Sequence, residues 1–262
     1  MFYILAAFFG AIVGSFINVC IFRLPKEESI VFPGSHCPSC QKPIAAWDNI
    51  PILSFFILRG RCRHCSSRIS WQYPLVEFLT ACFFVLFYSC FGFTVKGGLY
   101  LLLALALLTE TFIDLRHQII PDVITLPGIV IGLVASAVFP GLHGENLWWA
   151  GLLRSLIGML IGGGFFYVMG MIAEMILKKE AIGGGDIKLL AMIGALLGWS
   201  GVVWTIFVSS LVGSAVGIYM KMKSGEERIP YGPFIALGAL FYLFFGQRVI
   251  LWYAHSIGVY GN

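Results

Sequence analysis

Apolar runs punctuate the chain from end to end, at roughly 2–22, 74–93, 98–113, 123–139, 147–177, 186–199, 201–220 and 233–252. A membrane helix needs about 20 mostly apolar residues, and somewhat fewer when neighbours shield its ends. The pattern therefore predicts an all-α polytopic membrane protein with about eight transmembrane helices. The fifth run is long enough to tilt or to project beyond the bilayer, and only the "GWSG" turn separates the sixth from the seventh. One stretch of some fifty residues, 23–73, breaks the hydrophobic monotony. It divides the chain into a first transmembrane helix (1–22), a small loop domain (23–73) and a multi-helix membrane core (74–262).

Composition agrees with this picture. The chain is 59% hydrophobic and 11% charged, with a mean hydropathy of +0.90, far from the balance of soluble domains. Charge then sets the orientation, because loops rich in lysine and arginine stay in the cytoplasm. The loops after runs one, three, five and seven carry Arg23, Lys26, Lys42, Arg59, Arg61, Arg63, Arg68, Arg116, Lys178, Lys179, the nearby Lys188, Lys221, Lys223 and Arg228, which is 14 of the 17 basic residues. Both termini are expected outside, with the large basic loop in the cytoplasm. The first run lacks a charged leading region and its positive flank begins at Arg23, so it reads as a retained helix rather than a cleaved signal. The net charge of +4 reports topology, not nucleic-acid binding.

The loop 23–73 holds four of the seven cysteines. Cys37 and Cys40, then Cys62 and Cys65, form two C-x2-C pairs with 21 residues between them. That spacing lets two knuckles offer four thiolates to one structural zinc ion. Two disulfides are the alternative, and a reducing cytoplasmic loop favours zinc. His36 and His64 adjoin the pairs as alternative ligands or as solvated neighbours. Cys20, Cys82 and Cys90 lie in apolar runs without partners at ligand spacing and read as packing residues.

Ionisable groups at membrane depth are costly and are functional candidates by default. The third run ends "LLTETFIDLRHQIIPD", which supplies Glu110, Asp114 and Asp122, and the sixth opens on Asp186 after Gly183, Gly184 and Gly185. Asp114 and Asp186 would sit at similar depth on two helices. Two carboxylates brought together cannot both ionise easily, so one keeps a proton while the other acts as a base. This is the equipment of an aspartic peptidase, and the side-chain-free glycines would let a substrate backbone approach Asp186. The local sequence is equally compatible with Asp186 capping its helix. Glu110, one turn deeper than Asp114, reads as a polar packing residue hydrogen-bonded to a neighbour. Lys188 reads as snorkelling to the headgroups, and Glu77 has no role derivable from sequence.

The segments "GSFINVCIFRLP" (14–25), "WDNIPILSFFILRGRCRHC" (47–65), "ISWQYPLVE" (69–77), "FIDLRHQIIPD" (112–122), "GGGDIKLLAMIGA" (183–195) and "YGPFIALG" (231–238) resemble, in order, the bacterial type IV prepilin peptidase family, the leader peptidase/N-methyltransferases. The resemblance implies Asp114 and Asp186 as the catalytic pair, with Asp122 the alternative to Asp114. It implies cleavage of a basic leader from type IV prepilins or pseudopilins at the cytoplasmic face of the inner membrane, in pilus assembly or type II secretion. It further implies methylation of the new N-terminal amine by S-adenosylmethionine, for which the sequence has no glycine-rich strand-to-helix fingerprint of its own. A proton- or sodium-coupled secondary transporter would also keep carboxylates at glycine-broken helices, but no inverted repeat is visible. A zinc-bearing scaffold would leave both aspartate motifs without a purpose. The sequence leaves the oligomeric state open.

Overall fold

The computed structural model of the chain describes residues 1–178, 183–224, 229–246 and 248–249. Lys179 and Arg228 of the basic loops, and positions 250–252 at the end of the expected eighth run, lie outside the described residues. Among those described, the regular structure is helical and no strand is formed. The chain divides into two compact units, Met1–Leu105 and Ala106–Asn262.

In the first unit, helix α1 (Phe2–Arg23) leads into a loop that carries the short helix α2 (Leu53–Ile57) before α3 (Gln72–Phe91) and the start of α4 (Val95–His117). Helices α1 and α3 pack closely because Gly10 and Gly14, four residues apart, present no side chains at the crossing. A Cβ at Gly10 would stand 2.7 Å from the Ala81 Cα, and one at Gly14 would stand 2.6 Å from the Glu77 Cα. Such small-xxx-small spacing is the usual way for apolar helices to associate where lipid supplies no hydrophobic drive. Asn18 adds a polar tie, its Nδ2 donating to the Tyr73 carbonyl at 3.0 Å. At the end of α1 the buried Arg23 guanidinium donates to the carbonyls of Ser29 at 2.8 Å and Pro33 at 2.6 Å, so the helix end organises the loop that follows.

The second unit is built around α8 (Gly184–Ser224), against which α5 (Asp122–Val138), α6 (Trp148–Met159) and α9 (Gly232–Phe241) pack. A π-helical turn, Leu160–Gly164, joins α6 to α7 (Phe165–Leu177). Gly158 on α6 and Gly194 on α8 face each other's backbone so closely that a methyl on either would collide. Helix α8 breaks at Gly198, whose φ of 72° and ψ of −177° are not helical. A break frees carbonyls from their helical donors. A hydroxyl from the neighbouring α6 serves one of them here: Ser155 donates to the Ala195 carbonyl at 2.6 Å.

Among the described residues, five helices are long and apolar enough to cross a membrane: Phe2–Lys26, Gln72–Phe91, Val95–His117, Trp148–Ile176 and Gly184–Lys223. Asp122–Val138 and Gly232–Gly246 are apolar but shorter. The 40-residue Gly184–Lys223 contains both the sixth and the seventh expected runs, with its break where the "GWSG" turn placed a boundary. Within the described residues the apolar runs fold as helices, and the count of eight spans is not confirmed, since five helices meet the length and composition of a crossing and one of these is broken at Gly198.

Candidate active site and metal centre

Asp114 lies in the last turns of α4 and is 5% exposed. Its Oδ2 accepts a hydrogen bond of 2.9 Å from the Gly232 amide, which opens α9. The positive end of the α9 dipole therefore faces a carboxylate, a favourable pairing at a helix N-terminus. Gly232 permits this contact, since a Cβ there would stand 2.8 Å from the Asp114 Oδ2. Pro233 follows, suited to the first turn where no amide donor is needed. In the sequence, the glycine of "YGPFIALG" carries no sign of this role.

Asp186 occupies the first turn of α8, half-buried, and its amide donates to the Gly183 carbonyl at 3.1 Å. It is near enough to Asp114 for the two carboxylates to interact electrostatically. Glu110 also feels the charge of Asp114. Glu110 is 1% exposed, and neither of its oxygens has a hydrogen-bond partner among the described residues. The expected reading of Glu110 as a hydrogen-bonded packing residue thus holds for its burial and not for its bonding.

Asp122 has a different environment. It is exposed at the start of α5, and both its oxygens receive the Lys188 Nζ at 2.7 Å. Lys188 was expected to snorkel; instead it ties the α5 N-terminus to α8 two residues beyond Asp186. The three glycines also part company. A Cβ on Gly183 would meet the Asp186 Oδ2 at 3.2 Å, Gly184 faces open space, and a Cβ on Gly185 would stand 2.8 Å from the Ile120 Cβ in the α4–α5 connection.

In the loop, the Sγ atoms of Cys37, Cys40, Cys62 and Cys65 all lie within 4.8 Å of one another, with Cys37 and Cys65 at 3.8 Å. Zinc held by four thiolates at about 2.3 Å in a tetrahedron sets sulfur–sulfur separations of about 3.8 Å. The cluster fits that geometry, and all four cysteines are free thiols. Each knuckle is closed by the same pair of backbone bonds, Cys37 N to Lys42 O (3.0 Å) with Gln41 N to Cys37 O (2.8 Å), and Cys62 N to Ser67 O with Ser66 N to Cys62 O (both 2.9 Å). Gln41 and Ser66, each following a second cysteine, take the same left-handed conformation, with φ of 58°. The Cys40 amide, pointing at the Cys37 sulfur, lowers that thiol to about 6, and the Ser67 hydroxyl and amide lower Cys65, while at Cys40 the Lys42 amide is outweighed by burial and the neighbouring thiols, which push it up to about 11. Thiolates are the metal-binding form, so these donors prepare the site.

Two further contacts hold this loop in place. Arg63, inside the second knuckle, forks onto Asp48 at 2.7 and 2.5 Å, and this hydrogen-bonded guanidinium holds the Asp48 carboxyl below its ordinary range. Glu77, which sequence left without a role, is buried and accepts the Ile52 amide at 2.6 Å. Ile52 has a φ of 63°, costly for a β-branched residue, so Glu77 holds a strained turn between "WDN" and α2.

Comparison with known proteins gives two consecutive family matches: Bacterial Peptidase A24 N-terminal domain over residues 8–91, and Type IV leader peptidase family over residues 101–218. Among curated relatives, the prepilin leader peptidase/N-methyltransferase of Pseudomonas aeruginosa is 35% identical over 95% of this chain and 92% of the relative. Its Legionella pneumophila counterpart is 36% identical over 96% and 94%. That of Myxococcus xanthus is 39% identical over 83% of this chain and 62% of the relative. No solved structure shows a significant match.

Proposed function

The chain belongs to the type IV leader peptidase family, and on that premise we propose that Asp114 and Asp186 are the catalytic pair with which it removes prepilin leaders. The family's activities, prepilin cleavage and N-methylation, are those of this chain, and the transporter reading finds no support. What supports the assignment is a buried Asp114 whose Oδ2 is held by the Gly232 amide, with Asp186, on a separate helix, within electrostatic reach of it.

The chemistry follows from that arrangement. One carboxylate takes a proton from a water molecule as the oxygen attacks the scissile carbonyl carbon. The partner carboxyl, protonated, donates to the carbonyl oxygen as it becomes tetrahedral. Collapse breaks the C–N bond, and the proton taken from water passes to the departing amine. Because the Asp114 Oδ2 is engaged by Gly232, its other oxygen is left for the water. Asp122, ion-paired and exposed, serves instead to align the α5 and α8 termini. The experiment is direct: purified protein in detergent should shorten a prepilin by its leader, and an intact substrate would remove the peptidase assignment.

Cys37, Cys40, Cys62 and Cys65 would hold zinc, which supplies structure to the loop. Prepilins or pseudopilins are the substrates we assign, and S-adenosylmethionine is the methyl donor implied by N-methylation. The described residues form no strand and so no glycine-rich strand-to-helix cradle for that donor, and no step is derived through it. The chain is a multi-pass membrane protein, and the positive-inside bias supports a topology with the basic loop 23–73 in the cytoplasm and residue 1 outside.

A further inference from the structure

The short helix α2 presents the wrong face to water. Its polar residue Ser54 is buried, with Oγ donating to the Trp47 carbonyl at 3.1 Å. Leu53, Phe56 and Ile57, at i, i+3 and i+4 on one side, are 59%, 59% and 69% exposed. A loop helix surrounded by water would reverse this arrangement.

The level of α2 is fixed by Trp71. The membrane helix Gln72–Phe91 is 20 residues long and spans about 30 Å, just the hydrocarbon thickness of a bilayer. Trp71, immediately before it and 67% exposed, therefore stands at headgroup level, where tryptophan concentrates. The Phe55 ring lies 4.6 Å and the Phe56 ring 6.2 Å from the Trp71 ring. Helix α2 is thus locked to the depth at which the bilayer begins. Exposed Arg59, Arg61 and Arg68 follow it, placed for anionic headgroups.

We propose that α2 is an interfacial membrane anchor: the Leu53–Phe56–Ile57 face, continuous with Trp71, lies in the headgroup region of the bilayer that holds α1 and α3. The tetracysteine loop is then clamped to the membrane surface rather than free in solution. Two of its ties come from the protein, at Arg23 and Glu77, and the third comes from lipid. Lipid fits an outward apolar face beside Trp71 at the start of a membrane helix, with basic residues next to it.

The test places a fluorescent amino acid at position 56, and separately at 57, in full-length protein reconstituted into vesicles of phosphatidylethanolamine and phosphatidylglycerol. A nitroxide carried on lipid headgroups should quench both positions several-fold more than aqueous iodide does. Strong iodide quenching with little lipid quenching would overturn the proposal. Lipid quenching that vanishes when prepilin is added would also overturn it, by assigning the face to the substrate helix.

Discussion

At the scale of single residues, the carboxylate pair depends on what is missing from its neighbour. Gly232 brings its amide to Asp114 only because it lacks a Cβ. Gly232→Ala should therefore push Asp114 out of register. Misplacement of a reacting group by about 1 Å costs about 100-fold in rate, so prepilin cleavage should fall on that order with the substrate KM little changed. Unaltered kcat in this variant would mean that the hydrogen bond does not position the site. The two aspartates were legible in the sequence, because membrane carboxylates are rare and stand out. Gly232 was not, because a glycine among apolar residues carries no sign of whom it faces. Asp114 and Asp122 lie in one motif and differ only in environment, buried against α9 or paired with Lys188, which no local pattern distinguishes.

At the scale of elements, glycine decides where helices meet. The α1 glycines at 10 and 14 and the Gly158–Gly194 contact set helix approach, and the "GWSG" turn marked the α8 break in advance. The π-helical turn at Leu160–Gly164 falls on three consecutive glycines, the poorest α-helix formers after proline, inside an apolar run that continues on both sides. The sequence pattern cast Gly185 as a wall for the substrate; the structure adds a contact with Ile120. Gly185→Val should impair cleavage strongly, because overpacking of this kind costs about 1–3 kcal/mol and acts on the connection between Asp114 and Asp122. The double variant Gly185→Val/Ile120→Ala separates the causes. Recovery of cleavage assigns the glycine to helix packing, and persistent loss assigns it to substrate approach.

At the scale of the whole molecule, the loop and the membrane core make separate demands. Metal binding and folding are coupled in small cysteine sites, so the purified chain should carry one zinc per molecule by elemental analysis. Serine at Cys37, Cys40, Cys62 or Cys65 should release it and open the loop to proteases; protein made without chelator and free of zinc would count against the site. Helical character throughout was readable from composition and run length. The number of crossings was not, because a 40-residue helix with an internal break and two shorter apolar helices do not announce whether they traverse. Orientation rests on charge: a reporter fused ahead of residue 1 should be active outside the cytoplasm and one inserted within 23–73 inside it, and the reverse pattern would invert the topology.

The central claim is that Asp114 and Asp186 cleave while Asp122 aligns. It is tested most directly by measuring leader removal from a prepilin, and separately methyl transfer to a substrate already cleaved, in Asp114→Asn, Asp186→Asn and Asp122→Asn. Cleavage should disappear in the first two, since an amide can neither act as base nor share a proton. It should persist at a reduced level in the third, where a surface ion pair worth about 1 kcal/mol or less is lost, and all three should still methylate. Cleavage surviving in Asp186→Asn, or lost in Asp122→Asn while retained in Asp114→Asn, would contradict the account.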